Sequence, residues 1–412
     1  MIRLLHTADW HLGHQLKGWD RAHEHVRFFD ALVDIVGERR VDGLIVAGDI
    51  FDHQNPSADA ERLLMETVGR LKAARPSLTV VLIAGNHDSA GRIEVPRALY
   101  ASAGIHAIGA LRGRSEAPDM ARHLVPIRDE AGAVGAHVLA LPYLRAADLP
   151  GLAAVIEPGA PSPIAAAVGA VYAEHVAAAR AIIGDEPLIA TGHLHVSGAA
   201  LSESTSERRI LVGGEHAVPA SIFPEGLAYV ALGHLHRPQW IGRETVRYSG
   251  APFPMSVAEQ GYRHGVSLVE IDGGQATVEH VPVERPVAFL RVPASGRVRP
   301  EGLAEAFAAL SPGEDLAERD WPFAQVMIEI DGPAPTLHAT VDEIAASYPL
   351  RIVSIDVARP EAAAAGPEPV LVRLAERSPE DIFRAAFLAA HGVEPEPAHL
   401  LAFRRAVEEA GS

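Results

Sequence analysis

Five short pieces of this chain carry residue types that hold metal ions. They are Asp9-Trp10-His11, Gly48-Asp49-Ile50-Phe51-Asp52, Gly85-Asn86-His87-Asp88, Gly192-His193-Leu194-His195 and Gly233-His234-Leu235-His236. Each follows an apolar run of strand length, at residues 2–5, 44–46, 78–83, 188–190 and 229–232. A lone histidine after a strand is ordinarily a solvated loop residue, and Asn-His-Asp alone is common turn chemistry. Five such pieces at strand ends are a different matter, because the carboxyl ends of strands are where α/β sheets bind ligands. Asp, Asn and His are hard-to-borderline oxygen and nitrogen donors that suit manganese, iron, zinc or magnesium. There are too many for one ion and about enough for two, so one carboxylate has to bridge. A pair of ions roughly 3.5–4 Å apart clamps a phosphate and generates hydroxide, which is hydrolytic phosphoester chemistry.

Composition narrows the classes. A chain of 412 residues that is 48% hydrophobic can bury a large core and suggests two or three domains. The absence of cysteine excludes disulfides and thiolate metal sites. Residues 1–6 lack signal-peptide anatomy, and Asp9 interrupts the run early. No apolar run approaches the roughly 18–20 residues of a membrane span, so the expectation is a cytoplasmic protein with no membrane partner. A net charge of -17 argues against a surface that coats DNA generally. The first hundred residues are near balance. Neither lysine, Lys17 nor Lys72, sits in a Gly-rich Gly-Lys-Ser/Thr loop. The chain therefore lacks a P-loop, and any coupled ATPase is on another polypeptide.

The elements that must position these residues are partly legible. Val26, Phe29, Leu32, Val33 and Val36 predict a helix over 20–40. Ser57 caps a second, with Leu63, Leu64, Val68 and Leu71 as its apolar set. Further helices are expected over 94–102 and 153–183, the latter broken at 158–163. Strands are expected at 138–141, and at 246–249, 265–271 and 276–282 to complete a second sheet. A boundary falls near residues 283–286. Residues 287–357 then read strand, helix, strand, helix, strand, at 287–292, 302–310, 325–330, 337–347 and 351–357. Residues 359–369 are a Pro/Ala/Gly-rich linker. Two amphipathic helices follow near 379–390 and 397–409, with Ile382, Phe383, Phe387 and Leu388 on one face and Leu400, Leu401, Phe403 and Val407 on the other.

The order of the five pieces resembles the calcineurin-like metallophosphoesterase superfamily: Asp-x-His, Gly-Asp-x-x-Asp, Gly-Asn-His-Asp/Glu, Gly-His, Gly-His-x-His. Three stretches narrow the resemblance to the SbcD family of bacterial nuclease subunits: His6-Thr7-Ala8-Asp9-Trp10-His11-Leu12-Gly13, Val46-Ala47-Gly48-Asp49-Ile50-Phe51-Asp52 and Ala231-Leu232-Gly233-His234-Leu235-His236-Arg237-Pro238. Arg247-Tyr248-Ser249-Gly250-Ala251-Pro252 is similar to that family's closing strand. The fold this implies is α/β: a two-sheet β-sandwich flanked by helices, a small α/β capping domain and C-terminal helices. The domains would be a nuclease domain at 1–285, a DNA-recognition capping domain at 286–358, the linker at 359–369, and a segment at 370–412 that docks a coiled coil.

The resemblance also implies roles. Asp9, His11 and His236 would hold one manganese ion, Asn86, His193 and His234 a second, and Asp49 would bridge them; magnesium or another divalent ion could substitute. His87 would face the scissile phosphate without ligating; by its position next in sequence, and not by the resemblance, Asp88 is placed to hold that ring's tautomer, with other partners open to it. Asp52 would orient a neighbouring imidazole or cap the turn. His195 receives no role. The activity implied is a 3′-to-5′ exonuclease on duplex ends and an endonuclease on single strands and hairpins, in DNA end processing, repair and recombination. Its partner would be the coiled-coil ATPase SbcC, which supplies ATP hydrolysis, in an assembly of two copies of each chain. A homodimer would form through the helix carrying Leu63, Leu64, Val68 and Leu71. Two other readings stand beside this one: an enzyme for a small phosphodiester or phosphoprotein, and a non-catalytic scaffold. Residues 287–412 are unneeded by the first, and His87 is unneeded by the second.

Overall fold

Leu44, Ile45, Val46 and Ala47 are wholly buried, as a strand covered on both faces requires. They belong to a computed structural model that describes residues 1–111, 118–149, 163–200, 217–310, 316–331 and 336–358, with scattered residues between 380 and 403. The chain opens with β1 (Ile2–Thr7), a hairpin of β2 (Gln15–Leu16) and β3 (Trp19–Asp20), and helix α1 (Ala22–Glu38). Next come β4 (Gly43–Ala47), α2 (Ala58–Ala74) and β5 (Thr79–Ile83). Short helices α3 (Ala90–Glu94) and α4 (Arg97–Ser102) lead to β6 (Ile105–Ile108). The helix expected over 94–102 is thus two pieces that meet at Pro96, whose ring and missing N–H do not fit a helix interior.

A second series follows: α5 (Met120–His123), β7 (Leu124–Arg128), β8 (Val134–Leu139), α6 (Pro163–Ile183), β9 (Leu188–His193), β10 (Tyr229–Gly233), β11 (Gln239–Ile241) and β12 (Arg243–Tyr248). The hairpin β13 (Gly265–Asp272) and β14 (Gln275–Pro282) closes the sandwich. Its two sheets run β14-β13-β1-β4-β5-β6 and β11-β12-β10-β9-β8-β7. Of the three strands expected to complete the second sheet, only β12 does so. β13 pairs antiparallel with β1, Leu4 opposite Val269. β1 carries buried side chains on both faces, and such a strand is a liability at an open edge.

Ile45, Val81, Val138, Ile189 and Ala231 fill the space between the sheets. Phe28, Phe29 and Leu32 of α1 and Leu64, Val68 and Leu71 of α2 cover the first sheet. Leu64, Val68 and Leu71 are therefore spent inside the chain, which removes them as the basis of a dimer contact. Val168, Val171, Tyr172 and Val176 of α6 cover the second sheet. Among the described helices α6 alone is long and apolar enough to cross a membrane by length and composition. The expectation of no such run overlooked its alanines, and its buried stripe shows that it is a core helix.

Residues beyond 286 build β15 (Phe289–Val292), α7 (Leu303–Ala308), β16 (Phe323–Glu329), α8 (Leu337–Ala345) and β17 (Arg351–Ala358). The three strands are parallel, with helical crossovers around Val292, Phe307, Val326 and Val341. Leu16 of the β2–β3 hairpin packs with Val287, Phe323 and Val353, so that residues 1–358 form one compact unit. Residues 359–412 are a separate unit, in which Phe383 stacks on Phe403 with ring centroids 4.4 Å apart and Phe387 meets His399 at 4.9 Å. The expected linker, residues 153–162, and Ile382, Leu401 and Val407 lie outside the described residues.

Candidate metal centre

The five pieces meet at the carboxyl ends of β1, β4, β5, β9 and β10. The loops after β1 and β4 run side by side, Asp9 N donating to Gly48 O (3.0 Å) and His11 N to Asp49 O (2.9 Å). Asp9, His11, Asp49 and His234 all have positive φ, four of the six described non-glycine residues that do. Such backbone costs on the order of 1–3 kcal/mol per residue and persists where the surroundings over-determine it, commonly at functional sites. Glycine is obligatory beside them. At Gly85 a Cβ would collide with the carboxylate and backbone nitrogen of Asp49, and at Gly48, with φ of 93°, it would strike the His193 ring.

The side chains gather into groups whose ligand atoms lie within 4.8 Å of one another: Asp9, His11 and His236; Asp49, His193 and His234; and a less buried set, His11, Asp52 and His87, that shares His11 with the first. Asn86 joins the second group, its Oδ1 lying 3.0 Å from both His193 Nε2 and His234 Nδ1. Asp49 Oδ2 lies between the first two groups, 3.2 Å from His193 Nε2 and 3.7 Å from His11 Nε2. Ligands at ~2.1 Å from an octahedral ion stand about 3 Å apart, so this spacing fits divalent metal. Asp9 Oδ2 and both ring nitrogens of His11 are buried and lack any hydrogen-bond partner, as a carboxylate and an imidazole kept for an ion would be.

Three of the four rings are held from the far side. His193 Nδ1 donates to Ala47 O at 2.8 Å, Asp52 Oδ1 lies 3.2 Å from His11 Nδ1, and Glu259 Oε1 lies 3.1 Å from His236 Nδ1. Burial pushes the Asp9 carboxyl up to about 6, a cost that a cation would relieve. Burial also acts on Asp49, but the His193 imidazole outweighs it and holds that carboxyl well below the usual range. Asp52 is likewise held low, the imidazoles of His11 and His14 beside it overcoming its burial.

His87 and Asn86 are half-buried, at the mouth of the otherwise closed centre. His87 Nδ1 donates to the backbone carbonyl of Asp52 at 2.8 Å. Asp88 does not hold that ring. Its buried carboxylate accepts from Gly85 N (2.8 Å), Phe51 N (2.9 Å) and Ile50 N (3.1 Å), clamping the loop after β4 to the loop after β5. Neighbours in sequence diverge in extended backbone, which is why Asp88 turns away from His87. Asp52 serves twice, its side chain toward His11 and His14 and its carbonyl toward His87. His195 is in neither ligand group; its carbonyl accepts from Val218 N. Sequence reading passed over His14 and Glu259. Glu259 lies outside every strand-end motif, on a 3-10 turn at Val257–Glu259, so only folding reveals it.

Residues 2–131 match the family model of the calcineurin-like phosphoesterases, and residues 286–391 match that of the type 5 capsule protein repressor C-terminal domain. The chain is similar to the SbcD subunit of the nuclease SbcCD from Rhodobacter capsulatus, 47% identical over 94% of each chain. The protein of the same name from Escherichia coli K12 is 32% identical over 93% of this chain and 92% of its own. The Bacillus subtilis one is 35% identical over 76% of each.

Proposed function

Because this chain belongs to the SbcD family of calcineurin-like phosphoesterase nucleases, we propose that it is a two-manganese DNA nuclease subunit. It would act as a 3′-to-5′ exonuclease on duplex ends and an endonuclease on single strands and hairpins. The observation that carries the reading is Asp49 Oδ2 poised between two ligand groups. Asp9, His11 and His236 would hold one ion and Asn86, His193 and His234 the other, with Asp49 bridging. Bound there, the ions would supply Lewis-acid stabilisation of the phosphate oxygens and an activated water.

The chain's own residues do the rest. Because His87 Nδ1 gives its proton to the Asp52 carbonyl, a neutral ring can only accept at Nε2. Donating toward the leaving 3′ oxygen therefore requires the doubly protonated ring, a general acid. Asp52 keeps that ring aimed at the mouth, and Asp88 keeps the loop bearing Asp49 in place.

The relatives' name points to a complex, and the rest of the assignment follows from it. SbcC would be the partner, supplying ATP hydrolysis that a chain without a P-loop cannot. Residues 1–285 would form the nuclease domain and 286–358 the DNA-recognition cap. Residues 370–412 would dock on the ATPase coiled coil. The complex would contain two copies of each chain and work in the cytoplasm at the nucleoid. A homodimer contact is supported by apolar residues other than those expected from sequence. Met65 and Val95, with the buried Leu64, line one cleft of about 250 Å³ beside α2, α3 and α4, and Leu99 on α4 is 78% exposed.

The test is cleavage of linear duplex and hairpin DNA by the purified chain with manganese, against the same reaction with a chelator. Metal-dependent cleavage is expected. Hydrolysis confined to small phosphodiesters, with both DNAs intact, would overturn the nuclease assignment.

A further inference from the structure

Glu259 is fully buried, yet its carboxylate is saturated with donors. Oε1 lies 3.1 Å from His236 Nδ1 and accepts from Ser256 Oγ at 3.0 Å, while Oε2 accepts from Met255 N at 2.9 Å. An ionised carboxylate can only accept, so His236 Nδ1 must carry its proton and Nε2 is left as the ligand nitrogen. The turn bearing Glu259 is itself fixed from outside the centre. Val257 packs on the cluster of Leu16, Val287, Phe323 and Val353, and Gln260 Nε2 donates to Gln325 Oε1 of β16 at 3.2 Å. Glu259 is thus a rigid carboxylate aimed at one ring of one ligand group.

We propose that Glu259 is a positioning residue for His236, fixing its tautomer and direction and so tuning the affinity of the Asp9–His11–His236 ion while leaving the other largely untouched. The inference rests on the two-metal reading. Histidine ligands held by a carboxylate from behind are better oriented and more basic, and losing such a partner typically costs ~10- to 100-fold in metal affinity. Glutamine at 259 keeps the shape but cannot satisfy both neighbours. With its oxygen toward His236, its NH2 faces the Met255 N–H. Flipped, its NH2 faces His236 Nδ1 and forces the proton onto Nε2, where it blocks the ion.

The experiment titrates metal-free wild type and Glu259→Gln with manganese, reading free ion by electron paramagnetic resonance and each site by anomalous scattering. The expected result is loss of the Asp9–His11–His236 ion at concentrations that still fill the Asn86–His193–His234 site, a shift of roughly ten- to a hundred-fold. Equal weakening of both ions, or of neither, overturns the proposal, since a merely structural glutamate would do one or the other. A wild type that binds no manganese overturns the two-metal reading and this proposal with it. Should the variant fail to fold, ¹⁵N imidazole spectra of the metal-free wild type decide. A His236 ring protonated at Nδ1 sustains the proposal, and one protonated only at Nε2 ends it.

Discussion

Asp49 faces both ligand groups, so its loss should be felt at both ions. Asp49→Ala is expected to abolish two-metal loading, because without the shared carboxylate two like-charged ions a few ångströms apart repel unscreened. Elemental analysis that still finds two manganese ions per chain would make the bridge assignment wrong. His87 makes the opposite prediction. Its ring donates to the carbonyl of Asp52 and meets the two-ion centre through His11, in a third cluster with His11 and Asp52, so His87→Gln should retain two ions and bind DNA as before. Single-turnover cleavage should fall by ~10²–10⁴-fold, the usual worth of general acid–base help. Metal lost together with activity would make His87 a ligand, and near-normal cleavage would make it a bystander.

Helices α2 to α4 bury one face against the first sheet and leave apolar side chains exposed on another. The inner face of α2 is consumed by the first sheet, so substituting Leu64 or Leu71 would unfold the layer and say nothing of assembly. Met65 and Leu99 are 45% and 78% exposed and lie outside that core, which Met65 meets through the Tyr100 hydroxyl donated to its Sδ at 3.1 Å. A Met65→Glu, Leu99→Glu double variant should keep its circular dichroism and melting temperature while light scattering reports half the wild-type mass; an unchanged mass would place the contact elsewhere. At the end of α5, His123 is buried with Nδ1 donating to Ala140 O at 2.9 Å. Burial pulls its pKa down to about 4, although the Ala140 bond opposes this. The unfolded chain takes up this proton near pH 6.5 and the folded chain only near pH 4. Stability from this group is complete above pH 6.5 and declines as pH falls toward 4, by about 1.4 kcal/mol per unit. Denaturation midpoints of His123→Gln should show a shallower slope across that window than wild type. Parallel slopes would mean that the ring titrates normally.

For the whole molecule, charge and connectivity speak to division of labour. A chain carrying -17 cannot draw DNA to its surface generally, which suits a nuclease whose DNA is delivered by a partner. Residues 359–412 form their own unit, and the Phe383–Phe403 stack within it leaves Leu388 42% exposed. Deleting residues 370–412 should spare manganese-dependent cleavage of single-stranded DNA by the isolated chain and end its binding to SbcC in a pull-down. Retained binding would move the docking site into residues 1–369.

The sequence alone marked the candidate ligand residues, their placement at strand ends and the alternating strands and helices after 286. All of these rest on local signals: an apolar run of strand length, then a glycine, then a donor. The interactions between loops were decided only by tertiary structure. Asp88 follows His87 directly, yet its carboxylate clamps Ile50, Phe51 and Gly85, while the carbonyl of Asp52 holds the ring. Glu259 reaches His236 across 23 residues, and the β13–β14 hairpin crosses back to β1 from the far end of the sandwich. The faces of α2 were ambiguous for the same reason: helical spacing gives a stripe but not what covers it. Local pattern tells which groups are chemically able. Which oxygen meets which nitrogen depends on how distant strands stack, because burial and hydrogen-bond geometry are properties of the closed fold.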